Sequence, residues 1–299
     1  MEVVQILMST YNGEKYLREQ LNSILEQTYP SIELLIRDDG STDGTVEILK
    51  EYSETYENVR FYQGSNKGAI QSFLELLRES NDNAKYYAFA DQDDVWLPEK
   101  IEKAVKSLEK KQSDQPLLYC SDLYITDENL NVIKVDDKRH RPSFGNALVQ
   151  NICTGCTAVM NRALRDIINQ SRPENIVMHD WWFYLAATLF GKVIYDQTPY
   201  MYYRQHGHNE WGAKKNKMEV LKYRLQQLTK KRGYIFQQNE EVLKAFPQID
   251  IEKRRLLEMV QQSEQGIVEK IRLACNRKIY RNGKEDDMVY RMIVIMGKL

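Results

Sequence analysis

Short apolar runs alternate with amphipathic stretches over the first 110 residues, and this alternation limits the possible folds of the chain. The stretches between the runs carry apolar residues at the three- and four-residue spacing of a helix face. Strands that alternate with helices in this way form a mostly parallel sheet with helices on both faces. We therefore predict an α/β fold. The predicted strands are residues 3–8, residues 32–37, residues 59–62 and Tyr86–Ala90.

A polar loop follows each predicted strand, and in a parallel sheet all of these loops lie at one edge. Ligands of open α/β sheets bind at this edge. The most acidic loop places Asp91, Asp93 and Asp94 directly after Tyr86–Ala90. Crowded carboxylates repel one another unless a cation is present, and Mg²⁺ binds one or two carboxylates together with phosphate oxygens. The cluster predicts an enzyme that acts on a phosphorylated or nucleotide-linked substrate.

The second half of the chain is less regular. From about Ala213 onward Gly and Pro become rare and charged helical sequence dominates. We therefore predict a catalytic domain over residues 1–212 and a helical C-terminal region over residues 213–299. The elements predicted before this boundary are two strands (residues 117–126 and Val132–Val135), a strand (residues 157–160), an apolar helix (residues 181–190) and two short strands (residues 193–195 and 200–203).

The charge balance gives no argument for nucleic-acid binding, because 42 Lys and Arg residues face 43 Asp and Glu residues. Cys153 and Cys156 form a C-x-x-C pattern, but a zinc site would need a second pair and a redox site a thioredoxin-like context. We expect these cysteines to pack as small buried residues. Reduced thiols and the lack of a signal-peptide pattern predict a cytoplasmic protein, and no apolar run is long enough to span a membrane.

Four loop motifs together resemble the family-two glycosyltransferases with the GT-A fold, and the resemblance covers about the first 210 residues. These motifs are Ser9-Thr10-Tyr11-Asn12, Asp38-Asp39-Gly40-Ser41-Thr42-Asp43, Asn66-Lys67-Gly68 and Asp91-Gln92-Asp93-Asp94. Three segments are most similar to bacterial rhamnosyltransferases of surface-polysaccharide assembly. They are Asp91-Gln92-Asp93-Asp94-Val95-Trp96, His179-Asp180-Trp181-Trp182 and Arg204-Gln205-His206-Gly207-His208-Asn209.

The resemblance implies a nucleotide pocket built from the first three loops. Thr10, Tyr11 and Glu14 would line this pocket, with Tyr11 against the base. Asp39 would hold the base, and Lys67 would approach the nucleotide.

The resemblance also implies a Mg²⁺ or Mn²⁺ site on the diphosphate. Asp93 would bind the metal, which stabilises the departing nucleoside diphosphate as a Lewis acid. His206 is the second expected ligand, with His208 as the weaker alternative. Asp91 would contact the ribose or the sugar. Asp94 would either orient the donor sugar or cap the helix that begins near residue 98. Arg204, in the same segment as His206, is a candidate substrate-binding residue.

Family-two enzymes invert the anomeric centre, which requires one base on the acceptor side. Asp180 stands where the family places this base, although it could instead cap the helix over residues 181–190. A carboxylate at a helix N-terminus is stabilised, so we expect Asp180 to have a lowered pKa. Of Trp181 and Trp182, we expect one in the core and one as a platform for the acceptor sugar.

Residues 214–232 carry many Lys and Arg residues with apolar residues interleaved, as a basic amphipathic helix does. Acceptors of polysaccharide synthesis are often built on lipid carriers. This segment therefore leaves open a peripheral contact with the inner face of the cell membrane.

Together these features predict an inverting, metal-dependent transferase that moves L-rhamnose from dTDP-L-rhamnose to a glycan or lipid-linked saccharide. A UDP-hexose or UDP-N-acetylhexosamine donor is the alternative. A sugar nucleotidyltransferase would need an early loop with basic residues, and none precedes Lys15 in the first loop. A sugar-binding module without activity would not need acids at both Asp93 and Asp180.

Overall fold

A computed structural model describes residues 2–111, 114–135, 139–206 and 233–299. The strands are β1 (Val4–Thr10), β2 (Ile32–Asp38), β3 (Val59–Gln63), β4 (Tyr86–Ala90), β5 (Val95–Trp96), β6 (Leu117–Ser121), β7 (Tyr124–Thr126), β8 (Val132–Val135), β9 (Val159–Asn161), β10 (Lys192–Asp196) and β11 (Met201–Arg204). The helices are α1 (Leu17–Leu25), α2 (Thr45–Thr55), α3 (Gly68–Arg78), α4 (Lys100–Glu109), α5 (Phe144–Ala147), α6 (Arg162–Ser171), α7 (His179–Phe190), α8 (Tyr234–Ala245), α9 (Ile251–Gln262), α10 (Ile267–Cys275) and α11 (Lys284–Ile295).

Seven strands form the central sheet in the order β10-β6-β9-β4-β1-β2-β3. β1 pairs in parallel with β2 and β4, β2 with β3, and β10 with β6. β9 alone in this sheet runs antiparallel to its neighbours, β4 and β6. The predicted mostly parallel α/β sheet is confirmed, and the four strands predicted from the first 110 residues are all present.

Both faces of the central sheet are buried, because neighbouring residues of a strand point to opposite faces. In β1, Leu7 packs on one face while Ile6 and Met8 pack on the other. The first face is covered by α3, α6, α7 and the C-terminal helices α8–α11, and the second by α1, α2 and α4. Two-sided burial explains why these strands are continuous apolar runs.

A second, smaller sheet has the order β5-β11-β7-β8. Its presence corrects the prediction of one strand over residues 117–126. β6 ends at Ser121 in the central sheet, and β7 begins at Tyr124 in the small sheet. At the break, the buried Asp122 accepts a hydrogen bond from the Tyr195 hydroxyl at 2.5 Å. The chain thus changes sheets within a stretch that looks like a single strand.

The predicted helical C-terminal region is confirmed for residues 233–299. Its helices bury Val242, Leu257 and Leu273 in the same core as α7 and the sheet, and Phe246 stacks on Trp182 with ring centroids 5.6 Å apart. The predicted boundary at residue 212 lies outside the described residues and stays a prediction. Among the helices described, none is both long enough and apolar enough to cross a bilayer.

Candidate active site

The loops after β1 and β2 hold each other through hydrogen bonds between side chains and backbone. Asn12 N–H donates to Ser41 Oγ at 2.9 Å, and Thr42 N–H donates to Asn12 Oδ1 at 2.8 Å. Glu14 Oε2 accepts from Gly44 N–H at 3.0 Å. The carboxylate of Glu14, predicted to line the nucleotide pocket, therefore also supports the neighbouring loop.

Tyr11 and Thr10 occupy different environments at the end of β1. Thr10 is buried, and its hydroxyl donates to Asp38 Oδ1 at 3.1 Å. The Tyr11 side chain is 47% exposed. The Gln92 side chain forms two hydrogen bonds with the Tyr11 backbone: it accepts from Tyr11 N–H at 2.8 Å and donates to Tyr11 C=O at 3.0 Å. Gln92 thus connects the acidic loop to the predicted base pocket, a role that the sequence did not indicate.

Asp39, predicted to hold the base, forms a buried ion pair with Arg37. Its Oδ1 accepts from Lys67 N–H at 2.9 Å and its Oδ2 from Gly68 N–H at 2.8 Å. Asp39 therefore organises the loop before α3. The Lys67 ammonium, predicted to approach the nucleotide, pairs with Glu75 at 2.7 Å. The three donors to Asp39 bind a side chain that is almost fully buried, so the contact of Asp39 with a base stays a prediction.

The two predicted metal ligands lie together. His206 Nε2 is 2.7 Å from Asp93 Oδ2, although the residues are 113 positions apart. Arg204 Nε donates to the Asp93 carbonyl at 2.9 Å and fixes the acidic loop against β11. The Arg204 guanidinium also lies 4.5 Å from the ring centroid of Tyr16, and the Tyr16 ring lies 5.1 Å from the His206 ring at a tilt of 32°. The Asp93 carboxylate is a ligand of the kind that Mg²⁺ and Mn²⁺ take, and His206, now hydrogen-bonded to it, would be a second, nitrogen ligand.

Asp94 is fully buried behind this pair. Three atoms lie within 4.8 Å of one another: a carboxylate oxygen of Asp91, a carboxylate oxygen of Asp94 and Cys156 Sγ. Burial, with Asp93 and Asp91 nearby, raises the pKa of Asp94 well above its usual value. Burial lowers the pKa of the neighbouring Lys100 to about 7.

The buried position of Asp94 bears on its two predicted roles. The residue before α4 is Glu99, and no side chain caps this helix. The capping alternative for Asp94 is therefore wrong. Its contact with the donor sugar stays a prediction, and its place behind Asp91 and Asp93 suits a group that supports the acidic loop.

Asp180, the predicted base, lies in the first turn of α7 and is 7% exposed. Its Oδ1 accepts from Asn151 Nδ2 at 2.9 Å, and its Oδ2 accepts from Gly155 N–H at 3.0 Å. Met178 is the N-cap residue, so Asp180 does not cap the helix, although its Oδ1 accepts from Trp181 N–H at 2.6 Å. Asn151 was not predicted, and a single Asn in an irregular stretch gives no sequence signal.

The expected lowering of the Asp180 pKa is wrong. Burial raises the pKa of Asp180 to about 7, against the opposing effect of its hydrogen bonds. The free-energy cost of removing the carboxylate from water exceeds the stabilisation that the helix N-terminus gives it.

A 3₁₀ turn over Gly155–Thr157 connects the predicted base to the acidic cluster. Gly155 N–H binds Asp180, while the next side chain, Cys156, lies beside Asp91 and Asp94. Consecutive Cα atoms are about 3.8 Å apart, so neighbouring residues of the turn contact the two groups. This turn corrects the predicted strand over residues 157–160, which begins as β9 at Val159. Cys153 and Cys156 are free and buried, as predicted.

Trp182 is the core member of the tryptophan pair, because it is fully buried. Trp181 is partly buried, and its indole N–H donates to the Ala147 carbonyl at 2.7 Å. Its role as a platform for the acceptor stays a prediction. His208 and residues 214–232 lie outside the described residues.

Comparison with known proteins identifies the family of the chain. The family model for glycosyl transferase family 2 matches residues 5–168, more than half of the chain. The dTDP-rhamnosyl transferase RfbG of Shigella flexneri is 33% identical over 219 residues, which cover 69% of this chain and 74% of that protein.

Two solved structures share the fold. TarS of Staphylococcus aureus (residues 1–349, with UDP-GlcNAc) aligns with a TM-score of 0.60 at 17% identity, over 98% of this chain and 90% of TarS. The mannosyltransferase PcManGT of Pyrobaculum calidifontis, with GDP-Man and Mn²⁺, aligns with a TM-score of 0.50 at 14% identity, over 97% and 87%. The chain therefore belongs to glycosyl transferase family 2 and has the GT-A fold.

Proposed function

We propose that this chain transfers L-rhamnose from dTDP-L-rhamnose to a glycan or lipid-linked saccharide, with inversion at the anomeric carbon. The observation that supports the proposal is the turn Gly155–Thr157, in which Gly155 N–H binds the buried carboxyl of Asp180 and the next residue, Cys156, lies beside Asp91 and Asp94. An acceptor base next to a metal-binding donor site is the arrangement that a single displacement requires. The similarity to a dTDP-rhamnosyl transferase supports this donor.

The donor side of the proposal depends on residues at the carboxyl edge of the sheet. The exposed ring of Tyr11 would stack on the base, and Asp39 would accept hydrogen bonds from it. Asp93 and His206 would hold Mg²⁺ or Mn²⁺, which supplies Lewis-acid stabilisation of the diphosphate. A GT-A structure with Mn²⁺ and GDP-Man supports a divalent metal in this fold.

The acceptor side depends on Asp180. The acceptor hydroxyl oxygen attacks the anomeric carbon, the bond from that carbon to the diphosphate oxygen breaks, and the proton passes to Asp180. A base with a pKa of about 7 is matched to this transfer near neutral pH. Asn151 and Gly155 would orient the carboxylate through their hydrogen bonds. A lipid-linked acceptor would bring the enzyme to the inner face of the cell membrane.

A second candidate donor is a UDP-hexose or a UDP-N-acetylhexosamine. TarS, which shares the fold, was solved with UDP-GlcNAc. This likeness supports the fold and does not identify the donor. The nucleobase and the sugar of the donor must therefore be tested together.

A panel of donors in the presence of Mn²⁺ tests the proposal. We expect dTDP-L-rhamnose and dTDP to raise the melting temperature of the protein more than UDP-glucose, UDP-GlcNAc or UDP do. We also expect slow release of dTDP from dTDP-L-rhamnose. A larger shift with the UDP compounds would reject rhamnose as the donor sugar.

A further inference from the structure

Helices α10 and α11 present apolar side chains to solvent. The members of this set are each between 47% and 60% exposed. We call them the C-terminal apolar face, and they are Ile267, Val268, Ile271, Met288, Met292 and Ile295.

The two helices pack side by side, so their outer sides form one surface. Arg291 of α11 donates to the carbonyl of Asn276, just after the end of α10, at 3.2 Å. On their inner sides, Leu273 of α10 and Tyr290 and Val294 of α11 are buried in the same core. Because both helices turn one side to this core, both turn their apolar outer sides away from it.

These exposed apolar side chains are unusual for helices at a protein surface. A surface helix normally buries its apolar stripe and exposes polar residues. The neighbouring helix α9 follows that rule over most of its length, with Glu252 and Arg255 exposed and Leu257 and Val260 buried. α10 and α11 bury one apolar side and expose another. Contiguous exposed apolar surface of this kind marks a site of interaction.

The charges around the C-terminal apolar face are mainly positive. Residues 267–299 hold eight Lys and Arg residues against four acids, of which Glu285 is exposed and Glu269, Asp286 and Asp287 are partly exposed. The exposed basic residues form a set that we call the basic rim, and they are Arg272, Arg277, Lys278, Lys284 and Lys298. An apolar face with a basic rim is complementary to a partner that has an apolar interior and negatively charged groups at its boundary.

The positive charge of the basic rim distinguishes between the possible binding partners of this face. A second copy of the chain would bring one basic rim against another in a two-fold contact. An anionic lipid surface is complementary in both respects, since lysine and arginine bind its headgroups and apolar side chains enter the acyl boundary.

We propose that α10 and α11 form a docking surface for an anionic lipid bilayer. Ile267, Val268, Ile271 and the two methionines insert at the headgroup boundary, and the basic rim lies on the lipid phosphates. The proposal involves these two helices and does not depend on which of the candidate donors the enzyme uses.

Vesicle binding of the full chain tests the proposal. We expect co-sedimentation with vesicles of phosphatidylglycerol and phosphatidylcholine at low salt, and little with phosphatidylcholine alone. The double variant Val268→Asp/Met292→Asp changes two exposed positions and should bind at least about tenfold more weakly. Ile133→Asp, at a position of β8 that is 53% exposed, is the matched control and should bind like the wild type.

Cys275 offers a second readout in the otherwise unchanged protein. It lies one turn beyond Ile271 on α10 and is exposed, whereas Cys120, Cys153 and Cys156 are buried. An environment-sensitive dye on Cys275 should shift its emission to the blue when anionic vesicles are added. Vesicle binding without this shift, or with full affinity in the double variant, would place the contact elsewhere and overturn the proposal. A dimer that the double variant abolishes, without vesicle binding by the wild type, would assign the face to self-association and overturn it equally.

Discussion

Asp180 receives hydrogen bonds from Asn151, Gly155 and Trp181 and has almost no contact with water, and these conditions act on its pKa in opposite directions. The hydrogen bonds favour the ionised form, while burial favours the neutral form. Burial prevails and raises the pKa to about 7. The sequence predicted the opposite because it shows the start of a helix and does not show the depth of burial.

This raised pKa makes the stability of the fold depend on pH. Between about pH 4 and about pH 7 the folded chain keeps a proton on Asp180 that the unfolded chain has lost. The stabilisation is therefore present at low pH and disappears as the pH rises through about 7. Asp180→Asn cannot ionise, so we expect the free energy of unfolding of the wild type, relative to this variant, to fall by roughly 2 to 4 kcal/mol over that range.

Urea unfolding of both proteins at several pH values measures this difference, and other titrating groups cancel in it. Asp114→Asn, which removes a carboxyl group at an exposed position, is the matched control. A constant difference between wild type and Asp180→Asn would contradict the burial of a protonated Asp180.

The site residues that could be predicted belong to short motifs, and those that could not are isolated polar residues. Asp93 and His206 lie in recognisable segments, and the structure brings them to 2.7 Å. Gln92 lies within the acidic motif, but its hydrogen bonds to the Tyr11 backbone depend on the path of the loop after β1. Asn151 has no pattern around it. A contact of this kind exists only after the chain has folded.

At the scale of elements, the turn Gly155–Thr157 links the proposed base Asp180 to the acidic loop. A Cβ atom on Gly155 would lie 2.8 Å from Nε2 of the buried His179, whose ring stacks on Phe73. The absence of a side chain at position 155 therefore allows the turn to approach α7 closely enough for its N–H to reach Asp180.

We expect Gly155→Ala to displace this turn and to lower both stability and turnover. The cost of overpacking at such a position is about 1 to 3 kcal/mol, which denaturant unfolding measures. His179→Ala removes the ring that the added methyl group meets, so the double variant should lose less than the sum of the single changes. Strictly additive losses would show that the steric contact with His179 is not the cause.

The elements that were predicted correctly are those whose local pattern matches their burial. β1 to β4 are buried on both faces and interrupted by amphipathic helices, so periodicity identifies them. Residues 117–126 read as one strand because β6 and β7 follow each other with a break of two residues. β5 has two residues and falls below the length at which alternation is visible. Sheet membership is a tertiary property, and no local pattern carries it.

At the scale of the whole molecule, a net charge of -1 conceals a separation of charge. Carboxylates gather in the loops at the carboxyl edge of the central sheet, where we place the donor and its metal. Basic residues surround the apolar face of α10 and α11. These helices share the core of the sheet, so the proposed lipid contact and the candidate active site belong to one packed unit. Composition alone predicted neither feature.

The central claim is that Asp93 holds the metal and donor while Asp180 removes the acceptor proton. The most direct measurement compares donor binding and dTDP release in the wild type, Asp93→Asn and Asp180→Asn, with dTDP-L-rhamnose and Mn²⁺. We expect Asp180→Asn to bind the donor like the wild type but to release dTDP at least about a hundredfold more slowly. Asp93→Asn should lose metal-dependent binding. Near-normal turnover by Asp180→Asn, or undiminished metal-dependent binding by Asp93→Asn, would contradict this account.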